Sequence, residues 1–593
     1  MWLSGARLFC RLLNPTFKSR TFEYSSTLVY SQKPKPGLLC PSLHRTDRSN
    51  FSTSRATDWK VIAEEKGEMI IRSPYRDVPE DERSFGEFMF SFLDEYSNYE
   101  LMVDYPTGRR ITGSEIKDHA VKVASALTRY GYRKGDVVMV FASNCLEYPI
   151  LFLGCSIAGI AVSTANPIYT PGELARQLAH SETKAVFTAK DMLPTVHEAL
   201  NMNQEARERV KDIMLIDGEG EGCRPFSTLI ADDGSMFPEN VDIDPRETIF
   251  TLPYSSGTTG LPKGVMLSHF NMVNNLKQGM SGQMQFREGE EILMGLLPFY
   301  HIYGLMVLQF SPLTQGAKLI IHPRFDPQAF LKSIEQHKIT YANLVPPIVL
   351  FLAKHPAVSD FNLSSLQTLV SAAAPLGLGV TREVESRLNV NLLQAYGLTE
   401  CSPLTHYDEV PHKRGTIGRL IPNTQAKVIH PVSGETLGVG ESGEILIRGP
   451  QVMVGYLKNQ EATNETVKHG WLYTGDIGHV DEDGYFTISD RQKELIKYKG
   501  YQVAPAELEA LLCTHPHIQD AAVVGLPIGE EVGEVPKAFV VATPGAKVTE
   551  QDVHDFVNKN VAPYKKLRGG VEFIDQVPKT ASGKILRRTL KQF

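Results

Sequence analysis

Cysteine is sparse and unpaired in this sequence. The seven residues, Cys10, Cys40, Cys145, Cys155, Cys223, Cys401 and Cys513, are scattered, odd in number and free of any Cys-x-x-Cys spacing. That excludes a disulfide framework, gives no support to a zinc site and suits a reducing compartment. No uninterrupted apolar run reaches the ~20 residues a membrane-spanning helix needs, so no transmembrane segment is expected. A basic surplus is also missing: 61 Lys and Arg stand against 68 Asp and Glu, a net charge of −7. An acidic chain of this kind is a poor nucleic-acid binder. No internal repeat is visible.

What is present is a chain of 593 residues, 42% apolar and 22% charged, too long for one core and expected to divide into at least two domains. Charge is unevenly placed. Residues 1–57 carry nine Lys and Arg against only Glu23 and Asp47. This leader is also rich in Ser and Thr, and Leu3 to Leu13 sets apolar residues around Arg7 and Arg11 at roughly helical spacing. Those features mark a mitochondrial transit peptide, with a disordered leader carrying no address, and a cytoplasmic protein, as the other reading. The ending Leu590-Lys-Gln-Phe593 is not a Ser-Lys-Leu type peroxisomal address.

Strand-like runs alternate with helix-like ones. Val137–Phe141, Ile160–Ser163, Ala185–Thr188 and Ile213–Ile216 are separated by segments of helical period, as are Ala317–Ile321, Tyr341–Val345 and Leu366–Val370. Repetition of this kind predicts an α/β fold with parallel, helix-covered sheets. From Gly415 to Val454 the pattern changes to short alternating strands punctuated by glycine, predicting a small barrel-like subdomain. Asp490 to Gly500 is a charge-crowded segment with Leu495 and Ile496 inside it, read as a hinge. Beyond it the chain predicts a compact α/β unit. The expected domains are therefore a leader (1–57), a large N-terminal domain (58–489), a hinge (490–500) and a small mobile C-terminal domain (501–593).

The densest chemical signal is Tyr254-Ser-Ser-Gly-Thr-Thr-Gly-Leu-Pro-Lys-Gly-Val265, expected between an apolar run and a helix from Leu267. Glycines let backbone N–H groups approach an anion, hydroxyls add donors, and Lys263 supplies charge, so Ser255, Ser256, Gly257, Thr258, Thr259, Gly260 and Lys263 read as a polyphosphate grip. A kinase-type P-loop is excluded, because Leu261 and Pro262 separate the lysine from the glycine. Pro298 to Gly304 opens a strand end onto His301 and Tyr303, where open sheets place ligands. Ser371 to Gly377 is a small-residue turn against which a flat ring could lie. Tyr396-Gly-Leu-Thr-Glu400 joins a stacking aromatic to Thr399 and Glu400, which suit a phosphate-bound Mg²⁺. Asp476, placed by its sequence on a tight turn, suits two vicinal hydroxyls. Gly583 presents Lys584 on a turn ahead of the final helix.

Five of these segments, in this order, resemble the adenylate-forming (AMP-dependent acyl-CoA synthetase) enzymes: Tyr254–Gly264, Tyr396–Glu400, Tyr473–Asp476, Asp490–Gly500 and Pro578–Lys584. Ile496 to Glu507 and Phe299 to Tyr303 are closest to the 4-coumarate–CoA ligase and firefly-luciferase branch. The likeness runs from about residue 60 to the end. It implies an acid–thiol ligase that uses ATP, Mg²⁺ and CoA: a carboxylic acid, aromatic or medium-chain as in fatty acid metabolism, becomes acyl-AMP with loss of pyrophosphate, and then acyl-CoA with loss of AMP. It further implies that Asp476 and Arg491 hold the ribose, that Tyr396 and Gly397 flank the adenine with Ala373 and Ala374, and that Glu400 serves the metal. Lys584 and His301 would meet the acyl carboxylate and Tyr303 the acid pocket. Lys493 falls at the hinge, Lys497 serves the second half-reaction, and Lys499 and Gly500 meet the pantetheine arm. A luciferase-like monooxygenase acting on the adenylate shares every motif, and a non-catalytic nucleotide-binding scaffold is the alternative outside enzymes. A peptide-synthetase module is disfavoured because no carrier domain follows Phe593.

Overall fold

Two long sheets, rich in parallel pairs, organise the front of the chain, and their strand order explains where ligands can bind. The computed structural model describes residues 62–65, 67–255, 262–281, 284–407, 413–491, 493–498, 501–529, 533–580 and 583–591; the leader lies outside them. In the first sheet, Val137–Phe141 is paired in parallel with Ala161–Thr164 on one side and Ala185–Thr188 on the other, and Ile249–Ser255 extends it in parallel beyond Ala161–Thr164. In the second, Asn391–Gln394, Thr368–Ser371, Tyr341–Leu344 and Ile292–Gly295 lie side by side, all parallel. Their carboxyl ends therefore emerge along one edge. That edge delivers His301, Val345, Ala373 and Tyr396 to a common rim, the usual ligand position of an open α/β sheet.

The strands are buried on both faces, as in Ala185–Thr188 and Tyr341–Leu344, which is why they read as continuous apolar runs. The helices between them start where the sequence supplies caps. Thr112 and Glu115 close a capping box on Gly113–Arg129, and Thr170 with Glu173 does the same for Pro171–His180, each worth on the order of 1 kcal/mol.

The glycine-punctuated stretch contributes to an antiparallel sheet in which Gln425–Ile429, Gly443–Arg448, Trp471–Val480 and Phe486–Arg491 are successive neighbours. Residues from Ile496 onward build a five-stranded sheet around Ile518–Gly529 and Gly533–Ala542. They also have a core of their own, centred on Ile496, Leu508, Val523, Val540 and Val557, whereas the core of the front body ends at Phe486. The described residues from Ile62 onward nonetheless form one compact unit, with Lys354 Nζ donating to Cys513 O at 2.7 Å.

Two local expectations are corrected. The chain after the glycine-rich loop is a strand, Lys263–Ser268, paired antiparallel with Ile249–Ser255; the helix begins only at His269, capped by Ser268. Leu267, expected to open the helix, instead shares the buried face of that strand with Val265 at a period of two. Asp476 is not on a turn either. It lies inside the ten-residue strand Trp471–Val480, next to Gly475 at φ 70°, where the pairing register shifts and re-aims the carboxylate.

Candidate active site

Asp476 and Arg491 face each other as cross-strand partners, so the register of two antiparallel strands creates their ion pair: Arg491 Nε stands 3.1 Å from Asp476 Oδ1. The other carboxylate oxygen accepts from the Tyr396 hydroxyl at 2.6 Å. Asp476 is 3% exposed, so its charge requires such partners. Burial, then the neighbouring Asp476 carboxylate, raises the Tyr396 phenol well above its ordinary range and keeps it a donor. Gly397 beside it admits no side chain, because a Cβ there would lie 2.1 Å from Pro403 O.

Glu400 and Lys263 meet on opposite sides of a residue that the sequence did not flag. The Tyr456 hydroxyl donates to Glu400 Oε1 at 2.9 Å, and Lys263 Nζ lies 4.7 Å from the centroid of the same ring. Tyr456 belongs to a two-residue strand pairing with Val265 and Met266. A two-residue strand leaves no periodic trace, so only this long-range pairing reveals it. Ser255 sits at the end of its strand opposite Lys263. Ser256, Gly257, Thr258, Thr259 and Gly260 lie outside the described residues, as do Lys499 and Gly500.

The second sheet supplies the opposite wall. His301 N donates to Pro298 O at 3.1 Å and its carbonyl accepts from Leu305 N at 2.9 Å, fixing the ring at the mouth of the π-helix Tyr303–Phe310. Gly304 permits this approach, since a Cβ there would stand 2.1 Å from Pro298 O. Burial, and secondarily the Lys584 ammonium, lowers the His301 imidazole to about 4. Tyr303, 8% exposed, runs inward and donates to Asn343 Oδ1 at 3.1 Å. Ala373 takes a left-handed φ of 72° at the turn after Thr368–Ser371, holding Ala373 and Ala374 at the rim. Thr399 is half-buried at the start of the short helical turn bearing Glu400.

Lys584 comes from the far end of the chain. Its turn is closed by Gly583 N to Thr580 O at 2.8 Å, by Thr580 N to Lys584 O at 2.8 Å and by Lys584 N to Thr580 Oγ1 at 3.1 Å. It rests on the front body, for a Cβ on Gly583 would come within 3.1 Å of Val345 and Pro347. Burial, then the Arg491 guanidinium, lowers the Lys584 amine; Asp476, Glu494 and Glu400 act the other way. Lys584, His301, Arg491, Asp476 and Glu400 thus share one electrostatic site.

Lys497 is not brought to it. On the strand Ile496–Tyr498 its neighbours on either side are buried and it is exposed. Lys493 is exposed too, two residues past Arg491. Three carboxylates also escaped the sequence reading: Arg587 pairs with Glu509 at 2.8 Å and Glu494 at 3.1 Å, beside the buried Asp490. In the sequence they merge into ordinary charge runs.

A half-buried ammonium, a guanidinium and a lysine–tyrosine–carboxylate array around one rim suit a polyanion, and a neutral imidazole beside the buried Tyr303 suits an organic acid. Comparison with known proteins agrees. The AMP-binding enzyme family model matches residues 91–457 and the AMP-binding enzyme C-terminal domain matches 507–584. The chain is 41% identical over 551 residues to the probable 4-coumarate–CoA ligase 1 of Dictyostelium discoideum, covering 90% of this chain and 99% of that one. It is also 41% identical to 4-coumarate–CoA ligase 2 of Solanum tuberosum, over 90% and 98% of the two chains. Among solved structures, the anthranilate CoA ligase AuaEII in complex with anthranoyl-AMP superposes with a TM-score of 0.79 at 25% identity, over 87% of this chain and 98% of that one. ATP-bound MatB from Rhodopseudomonas palustris gives 0.77 at 26%, over 86% and 99%. The chain belongs to the AMP-binding enzyme family and is an AMP-forming acid–CoA ligase of the 4-coumarate–CoA ligase-like kind.

Proposed function

We propose that the acid activated by this ligase is an aromatic or medium-chain one, and that the residues gathered at the rim divide its two half-reactions between them. The observation that supports this reading is the buried aromatic wall that Tyr303, two residues past His301, forms with Asn343. Relatives named for 4-coumarate and a neighbour solved with anthranoyl-AMP are consistent with it.

In the first half-reaction a carboxylate oxygen attacks the α-phosphorus of ATP, and the bond to the pyrophosphate oxygen breaks. Two anions must approach, so cationic donors at the forming bond supply the main stabilisation. Lys584 bridges carboxylate and phosphate; neutral His301 orients the carboxylate without drawing its proton. Asp476 accepts from the ribose diol, Arg491 holds Asp476, and Tyr396 with Ala373 and Ala374 flanks the base. Lys263 faces the leaving pyrophosphate. In the second half-reaction the CoA sulfur attacks the acyl carbonyl, and the carbonyl–oxygen bond to AMP breaks. Lys497 serves that step after the small domain has turned about Lys493 and carried Lys584 away.

Magnesium fits the site in a limited way. Glu400 is a half-buried carboxylate beside the phosphate-facing Lys263, while among the described residues no group of three His, Cys, Asp or Glu could hold a metal by itself. A Mg²⁺ would therefore use Glu400 and Thr399 together with phosphate oxygens, supplying charge neutralisation of the polyphosphate. The basic leader supports delivery to the mitochondrial matrix.

An AMP-release assay of the protein without residues 1–57, run with CoA against short, medium-chain, long and aromatic acids, tests the reading. Selective turnover of aromatic or medium-chain acids is the expected result. Preference for short or long-chain acids would overturn it.

A further inference from the structure

The small domain is seated on two helices of the front body, and the seat uses glycines that the backbone does not require. The helix Pro346–Lys354 meets it at both ends. Val345 and Pro347, at the start, face the Gly583–Lys584 turn, while Lys354, the last residue, donates Nζ to Cys513 O at 2.7 Å. Pro347 and Lys354 stand about 10 Å apart along the helix axis, so together they fix a tilt as well as a position. The next helix, Leu378–Leu388, brings the glycines. A Cβ on Gly377 would lie 3.1 Å from Ala510 Cβ, and one on Gly379 would lie 2.9 Å from Thr514 Cγ2.

Neither glycine has the left-handed φ that calls for one. Gly377, the N-cap, sits at φ −66° and ψ 140°, a conformation open to any residue. Gly379 lies in the first helical turn, where glycine is among the poorest choices. The distance to the small domain is what demands them. Ala510 has no side-chain torsion with which to turn aside, and its Cβ moves only with the helix Pro505–Leu512. Thr514 is held as well, its Oγ1 donating to Leu511 O at 2.6 Å. A methyl group added to either glycine therefore pushes back the end of that helix. Lys354 acts there by attraction. Cys513 is the C-cap of Pro505–Leu512, its carbonyl is among those a helix end leaves unpaired, and a cation from the front body supplies the partner.

Resting on the division of the two half-reactions proposed above, we infer that Gly377, Gly379 and Lys354 are positioning residues for adenylation: they admit the end of Pro505–Leu512 closely enough for the Lys584 turn to rest on Val345. Filling the seat withholds Lys584 from the first half-reaction and leaves the second alone, because the small domain has left the seat by then.

The test uses the full-length enzyme and measures the half-reactions separately: acyl-AMP formation from ATP with octanoic or phenylpropenoic acid, and conversion of the purified acyl-AMP by CoA. In Gly379→Val adenylation should fall about tenfold or more, while the second step stays within about twofold of native. Thermal unfolding should be unchanged or higher, since valine is a better helix former than glycine. Ala510→Leu fills the same seat from the small-domain side; it should show the same split and serves if the first variant folds poorly. Gly379→Ala should give a milder loss, and adding Thr514→Ser, which removes the opposing methyl and keeps the hydroxyl, should restore adenylation to within about twofold. Lys354→Met should lower adenylation by about three- to tenfold. Unchanged adenylation in both Gly379→Val and Ala510→Leu, or equal loss of both half-reactions in them, would overturn the inference. If Lys584→Ala still separated the two steps, the reading beneath it would stand; if that variant lost both equally, both would go.

Discussion

Tyr396 donates its hydroxyl to Asp476 at 2.6 Å, tying the residue expected beside the base to the residue expected on the ribose. Each oxygen of this buried carboxylate already has one partner, the other being Arg491, and each retains a lone pair for a ribose hydroxyl. Asp476→Asn removes the charge that compensates Arg491 and turns one acceptor into a donor. It is expected to raise the KM for ATP about 10- to 100-fold, with the KM for the acid little changed. Tyr396→Phe, losing one hydrogen bond, should cost about tenfold or less. Initial rates of ATP–pyrophosphate exchange measure both, and unchanged ATP dependence in Asp476→Asn would remove it from the nucleotide site.

The contrast between Lys584, packed against the front body, and Lys497, exposed on Ile496–Tyr498, leads to opposite half-reaction defects. Lys584→Ala should cut acyl-AMP formation by at least about 10²-fold, while conversion of supplied acyl-AMP to acyl-CoA survives. Lys497→Ala should do the reverse. Equal loss of both steps in either variant would contradict the division of labour. Burial and Arg491 lower the Lys584 amine, and it is the protonated form that bridges the anions. Adenylation should therefore decline on the alkaline side at a lower pH than an ordinary lysine would dictate.

Much of this site is legible in the sequence because its residues lie in short runs whose chemistry is local. The parallel strands are legible too, since burial on both faces makes them uniformly apolar. What is missing is whatever depends on register. Asp476 and Arg491 can each be singled out, but only the pairing of their two strands makes them partners. Tyr456 reaches Glu400 through a two-residue strand. The helix start is displaced because Leu267 lies in helical register with the apolar residues that follow it, and only pairing with Ile249–Ser255 assigns it to the preceding strand. Asn343 is an ordinary residue of an apolar run until Tyr303 is folded over it.

His301 is lowered to about 4 by burial and by Lys584, so its imidazole is neutral at any pH above about 5. The sign matters: a residue acting as a cation would lose activity as pH rises through 6 to 7, and this one should not. The adenylation rate between pH 5.5 and 8 is expected to show no imidazole inflection. His301→Asn should reduce kcat/KM for the acid without introducing or removing a limb in that range. An inflection near pH 6.5 that disappears in the variant would show that His301 works in its charged form.

If Mg²⁺ screens pyrophosphate at Glu400, chelation should separate the half-reactions in the same way as a substitution. Excess EDTA is expected to abolish acyl-AMP formation from ATP and acid, yet to leave conversion of supplied acyl-AMP and CoA within about twofold, because no polyphosphate is present in that step. Tyr456→Phe, which frees Glu400 Oε1 from its 2.9 Å hydrogen bond, should shift the magnesium concentration for half-maximal adenylation. Equal sensitivity of both steps to EDTA would place the metal elsewhere.

The cluster around Arg587 makes the junction of front body and small domain sensitive to pH. Three carboxylates crowd one guanidinium: Glu509 and Glu494 pair with it directly, while Asp490 Oδ2 instead accepts from Ala506 N at 3.1 Å, in the first turn of Pro505–Leu512. Burial raises Asp490 to about 6 and Glu509 to about 7. Both groups hold protons in the folded chain at pH values where the unfolded chain has released them. Folding therefore takes up protons between about pH 4 and 7, and stability falls as pH rises through that window. Asp490→Asn keeps an acceptor for Ala506 N and removes one surplus charge. It should leave stability nearly unchanged at pH 4.5 but raise it by on the order of 1–3 kcal/mol at pH 7.5. Urea denaturation of the leaderless protein at the two pH values measures the difference. A loss of stability at pH 7.5 would mean that Arg587 needs the Asp490 charge, and that this carboxylate is ionised in the native protein.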